Sequence, residues 1–115
     1  MGLNSANLAA FGHLLERLHR RELLNEEHTR KLLDAMESVS TGDRRIKAGL
    51  PAKARFAHKT GTQVGRSCNV GILNPHVADD AVVVVACAEG YDALDQAEQA
   101  FEALGAALAD AGLVR

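Results

Sequence analysis

The run Val82-Val83-Val84-Val85-Ala86-Cys87-Ala88 is apolar on both of its alternating faces, so it reads as a β-strand covered on both sides. Such a strand ordinarily lies inside a sheet, and its neighbours are found by working outward. Residues 67–73 (Ser67-Cys68-Asn69-Val70-Gly71-Ile72-Leu73) and residues 54–61 (Ala54-Arg55-Phe56-Ala57-His58-Lys59-Thr60-Gly61) read as two more strands, with Gly- and Pro-containing connections between them. Asn74-Pro75 marks the longer turn. One helix layer on three antiparallel strands leaves the other face wet. The valine run therefore predicts a further cover, from a missing piece of sheet or from a partner.

The flanks are helical. Residues 5–20 carry Leu8, Phe11, Leu15 and Leu18 at three-to-four residue steps, with Leu14 widening the stripe and Ser5 or Asn7 as N-cap. A second helix starts at Asn25, has Glu26 and Glu27 at its positive end, buries Leu32, Leu33 and Met36, and ends at Thr41-Gly42. Glu27 and Lys31 are spaced to pair. Asp43 is expected to cap a short turn over 44–48, which Gly49-Leu50-Pro51 stops. The last helix, 92–111, puts Leu94, Ala97, Phe101, Leu104 and Leu108 on one face, with Gly112 beyond its end. The expected fold is α+β: two N-terminal helices, a three-stranded antiparallel sheet and a C-terminal helix packed on the sheet. It forms a single domain over residues 1–115.

Composition excludes several classes. The chain has 115 residues and a formal charge of -2, so no field argues for nucleic acid or an anionic membrane. The aromatics are Phe11, Phe56, Phe101 and Tyr91, with no Trp, too few for a base-stacking platform. No apolar run is long enough for a bilayer-spanning helix, and the first residues lack the charged and apolar regions of a signal peptide. As written, the chain reads as cytoplasmic, or as exported if it belongs to a longer precursor. Cys68 and Cys87 could face each other across a hairpin, yet free thiols are expected in a reducing compartment. His13, His19, His28, His58 and His76 have no metal-ligand spacing, so neither metal nor cofactor is expected.

The string with most chemistry is His58-Lys59-Thr60-Gly61-Thr62. On an extended strand it sets a cation, a hydroxyl and bare backbone along a groove. Lys59 and Thr60 suit a carboxylate, Gly61 admits a ligand to the backbone, and the Thr62 amide can face an oxyanion. The tripeptide alone reads more readily as a Gly-terminated surface strand. His58 should point to the face opposite Lys59, away from any reaction. Arg45, taken alone, is a solvated surface charge.

Three stretches carry a resemblance: 41–51 (Thr41-Gly42-Asp43-Arg44-Arg45-Ile46-Lys47-Ala48-Gly49-Leu50-Pro51), Ala57-His58-Lys59-Thr60-Gly61-Thr62, and Asn69-Val70-Gly71-Ile72. Together with the helices and the valine strand, they closely resemble the C-terminal part of class A serine β-lactamases. The resemblance implies that Lys59 and Thr60 hold the substrate carboxylate, that Gly61 lets the β-lactam lie against the strand, and that the Thr62 amide forms half of the oxyanion hole. It implies that Arg45 reaches towards the carboxylate site. Other members place that arginine where this chain has Cys68, so Arg45 alone is self-consistent. D-alanyl carboxypeptidases share Lys-Thr-Gly, but the Gly-Leu-Pro context favours the lactamase branch.

The departures concern the nucleophile. The family's chemistry needs Ser-x-x-Lys, and none of Ser5, Ser38, Ser40 and Ser67 has a lysine three residues later. The family's Ser-Asp-Asn and its deacylating glutamate loop are also absent; Glu22-Leu23-Leu24-Asn25 has the wrong spacing for the latter. The expectation is a nucleophile-free segment that binds a β-lactam or other small carboxylate weakly and does not turn over alone. In complete members the strand matching 82–88 pairs with an N-terminal strand, so a homodimer through this open edge is expected here, or a missing segment that covers it.

Overall fold

The computed structural model describes residues 6–115. Its sheet has the order β1-β2-β3, with β1 Phe56–Gln63, β2 Arg66–Leu73 and β3 Val82–Glu89, all antiparallel. β1 begins at Phe56 rather than Ala54, and both hairpin strands run further towards their turn than expected, to Gln63 and from Arg66. Gln63 pairs with Arg66, so Val64-Gly65 is a two-residue turn, and Gly65 supplies its positive φ of 70°. Ser5, one of the two N-cap candidates, lies outside the described residues; Asn7 is the cap of α1, its Oδ1 accepting from the Ala10 N–H at 2.7 Å.

Helices cover both faces of the sheet, which is how the valine strand is satisfied. α1 (Leu8–His19) and α2 (Glu26–Glu37) lie on one face, where Leu15, Leu18 and Leu33 meet Ala57, Val70 and Ile72, flanked by Val83 and Val85. On the opposite face, a 3₁₀ turn η1 (Ile46–Gly49) and α3 (Leu94–Asp110) bury Ile46, Ala97 and Phe101 against Phe56, Leu73 and Val84. The expectation of one wet face thus fails: the N-terminal helices form the second layer. β3 remains at the sheet's edge, so most of its side chains are only half-buried.

Local chemistry sets the helix ends. Asn25 caps α2, accepting from the His28 N–H at 2.8 Å, and Glu27 meets Lys31 at 3.2 Å. α2 stops at Glu37, before Thr41-Gly42, with Ser38 as its C-cap. Its last turn carries Asp34 and Glu37, the wrong sign for the negative end of a helix dipole. Arg55 compensates by binding Glu37 at 3.0 Å, and His76 approaches both carboxylates. Leu32, expected inside, is 40% exposed, as is Leu94 at 41%, because each sits at the rim of its helix's apolar stripe. Asp43 does not cap η1; it pairs with Lys47 at 3.5 Å instead.

The Gly-Leu-Pro segment has a packing reason. A Cβ on Gly49 would meet the Glu102 carbonyl oxygen at 2.0 Å, and one on Gly105 would meet the Ile46 carbonyl oxygen at 2.0 Å. Two backbones touch here, so η1 and α3 are locked together directly below the Lys-Thr-Gly strand.

The cysteines are not free thiols. The β2–β3 register sets Cys68 directly opposite Cys87, with Cα atoms 4.1 Å apart, and the two form a disulfide. That spacing is the short one of a non-hydrogen-bonded antiparallel pair. Compartment was the wrong guide; strand register decides the pairing.

Candidate functional site

Arg45 is the pivot of the site. The turn before η1 delivers it beneath β1 and β2, where it is 7% exposed rather than solvated. Its Nη1 donates to the Gly61 carbonyl at 3.2 Å and the Cys68 carbonyl at 2.7 Å, and its Nη2 donates to the Thr62 hydroxyl. The guanidinium carbon stands 5.8 Å from the Phe101 ring centroid, a cation–π distance. No carboxylate pairs with Arg45 among the described residues. Two carbonyls, one hydroxyl and a ring face hold this buried charge, an arrangement that an anionic ligand would complete.

The disulfide fixes which backbone groups β1 shows to solvent. A non-hydrogen-bonded Cys68–Cys87 pair turns the Cys68 N–H and C=O away from β3, towards Gly61 on β1. Gly61 therefore pairs inward, and its neighbours Thr60 and Thr62 direct their N–H and C=O to the free edge. The Lys59 ammonium donating to the Thr60 carbonyl at 2.5 Å agrees with this. Around Gly61 the space is open: an added Cβ would meet nothing within 4 Å among the described residues. The strand's own packing does not require glycine there; bare backbone leaves room at the edge.

The expected site residues divide between two faces. Thr60, Thr62 and Arg45 line one open cleft of about 380 Å³ with the turn from Ser40 to Arg44 and with Glu98 of α3. Lys59 projects to the other face, its stem on a second cleft of about 360 Å³ lined by leucines of α1 and α2 and the loop between them, with Phe11, Met36 and Val70. Its ammonium bends back over the edge, so the cation, the two hydroxyls and the outward amides meet only along the rim of β1.

His58 lies opposite Lys59, stacked on Phe56 with ring centroids 4.8 Å apart and fully buried. Asn69 fixes its tautomer. The Asn69 Oδ1 accepts from the Ile46 N–H at 3.2 Å, so its Nδ2 donates, to His58 Nδ1 at 3.2 Å and to the Lys59 carbonyl at 3.3 Å. His58 must then be neutral with its proton on Nε2, which has no hydrogen-bond partner among the described residues. Burial pushes its pKa below the usual histidine value, the Lys47 charge adds to this, and Asp43 opposes it. Asn69 thereby joins η1 to the strand that carries Lys59 and Thr60.

The model of the β-lactamase enzyme family matches residues 3–111. The chain belongs to that family. Among solved structures, an ancestral (GNCA) class A β-lactamase superposes with TM-score 0.79 at 27% identity, covering 90% of this chain and 40% of that one. A β-lactamase from Xanthomonas campestris pv. campestris gives TM-score 0.79 at 26% identity, over 91% and 40% of the two chains. PBP-A shares the fold with TM-score 0.78 at 21% identity, over 96% and 41%. No curated protein matches. This β-lactamase-family chain thus spans about 40% of the length of the structures it resembles.

Three residues of this site escaped the reading of the sequence. The sequence assigns Asn69 no role of its own, suggests Asp43 only as a cap, and does not single out Glu98. Nothing in the composition marks them. Only the packing of η1 and α3 on the sheet brings Asp43 and Glu98 to the cleft and sets Asn69 against η1.

Proposed function

We propose that this chain supplies the carboxylate-binding and oxyanion portion of a class A β-lactamase-like serine hydrolase, whose complete form opens a β-lactam amide by acylation and hydrolysis. The observation that carries this reading is the convergence of Arg45, Thr60 and Thr62 at a free strand edge. The ligand's carboxylate lies against the two hydroxyls and the guanidinium. Its carbonyl faces the outward Thr62 N–H, a donor aimed at a developing oxyanion. Lys59 adds positive potential from the rim, and Gly61 leaves the edge clear. The acylating serine has no counterpart among the serines of this sequence, so covalent turnover belongs to residues beyond these. The disulfide supports the exported alternative for localisation, since such bonds persist in oxidising compartments. Among the described residues no helix is long and apolar enough to cross a membrane.

The test pairs catalysis with binding. Nitrocefin is expected to stay intact with the isolated chain, while benzylpenicillin shifts the amide signals of residues 59–62 and does so more weakly in Lys59→Ala. Robust turnover, abolished by replacing one serine of this chain, would overturn the reading.

A second reading is a non-catalytic homodimer. It is favoured by β3, an edge strand that directs the N–H and C=O groups of Val83, Val85 and Cys87 outward and is apolar on both faces. Two copies pairing these edges about a two-fold axis would continue one sheet across both. A monomer at all concentrations in light scattering would exclude it.

A further inference from the structure

We propose that Glu98 sets the specificity of the Arg45 cleft: it favours ligands whose bound carboxylate is flanked by a cation and turns away dianions. The inference rests on the cleft being a carboxylate site. It adds a selection that Lys59, Thr60 and Thr62 cannot make, because their side chains are a cation and two hydroxyls. α3 places Glu98 one turn before Phe101, the residue whose ring carries the Arg45 guanidinium. Glu98 is half-buried and lines the same cleft as Arg45, Thr60 and Thr62.

The charges in the cleft are unequally committed. An arginine has five N–H donors, and the bonds to the Gly61 and Cys68 carbonyls and to Thr62 leave capacity for one anion in front of Arg45. Asp43 is paired with Lys47. Glu98 makes no ion pair among the described residues, so its carboxylate acts on whatever the cleft binds. Arg44, also on the wall, is exposed, and its charge is screened by water and salt. A ligand's first carboxylate is held by Arg45 and the threonines. A second negative charge a few ångströms away meets Glu98 in a partly desolvated space, where charges act more strongly than in bulk water. A cation at that place is attracted instead.

Three small probes separate these effects at constant ionic strength and pH 7.5: acetate, malonate and glycine, each titrated while the amide signals of Thr60 and Thr62 are followed by NMR. In the unaltered chain, glycine is expected to bind more tightly than malonate. Glu98→Gln should tighten malonate roughly three- to tenfold, weaken glycine roughly two- to fivefold and move acetate least, and Glu98→Lys should exaggerate each change. A merely structural role would move all three probes in the same direction. That result, or no change in the malonate-to-glycine ratio, overturns the proposal. Absence of acetate binding at Thr60 and Thr62 overturns it together with the carboxylate-site reading, whereas acetate binding with an unchanged ratio overturns the role of Glu98 alone.

Discussion

Reducing the Cys68–Cys87 disulfide is expected to destabilise the chain by about 3 kcal/mol. The cross-link joins residues 19 apart in sequence, and closing a loop of that length removes conformational entropy from the unfolded chain by about that amount at 25 °C. The folded state changes little on reduction, because β2 and β3 stay paired over eight residues each and Arg66 still meets Glu89 at 2.8 Å beside the disulfide. The loss therefore acts through the unfolded state. Urea unfolding with and without reductant measures it. With a slope of ~1.5 kcal/mol per molar, the midpoint should fall by ~2 M, with the slope rising in the reduced chain as its unfolded state expands. The Cys68→Ser, Cys87→Ser double variant should match the reduced protein and ignore reductant. An unchanged midpoint, or two titratable thiols in the folded chain under oxidising conditions, would refute the reasoning.

Other consequences follow from the same contacts. Burial holds His58 neutral with its pKa below its unfolded value near 6.5, so the unfolded state takes up more protons and stability, complete above that value, falls as pH drops through 6.5 towards the depressed pKa. His19, which donates to the Pro75 carbonyl at 3.2 Å, is shifted the same way by burial, so His58→Gln should flatten but not abolish the loss between pH 7 and 5 in urea midpoints. Gly105→Ala forces a methyl to 2.0 Å from the Ile46 carbonyl oxygen and should cost about 3 kcal/mol or more, or prevent folding, as read by circular dichroism; a native-like midpoint would deny the backbone contact. Arg45→Ala should cost about 2–3 kcal/mol through its three charge-assisted hydrogen bonds and abolish acetate binding, with calorimetry giving the first and NMR the second.

Much of the fold was legible because its signals are local. Asn7 and Asn25 announce helix starts, the valine run announces a strand covered twice, and Gly49-Leu50-Pro51 announces a stop. What was not legible is relational. Whether Cys68 meets Cys87 depends on the register across a long turn. That α1 and α2 supply the second cover of the sheet depends on where two short connections lead. The site shows the same division. Lys59, Thr60, Gly61 and Thr62 are contiguous and could be read off, yet strand alternation sends the lysine to one face and the two hydroxyls to the other. Arg45 looks like any surface arginine until β1, β2 and Phe101 close around it. Glu98 and Asn69 gain their places only from the docking of α3 and η1 under the strand.

The most direct test of the account is where a β-lactam binds. Benzylpenicillin titrated into the isotope-labelled chain should perturb the amides of Thr60 and Thr62 and the Arg45 side chain, and Arg45→Ala should remove the effect while the sheet stays folded. Perturbations confined to the leucine-lined cleft of α1 and α2, or undiminished in Arg45→Ala, would contradict the claim that this strand edge is the carboxylate site.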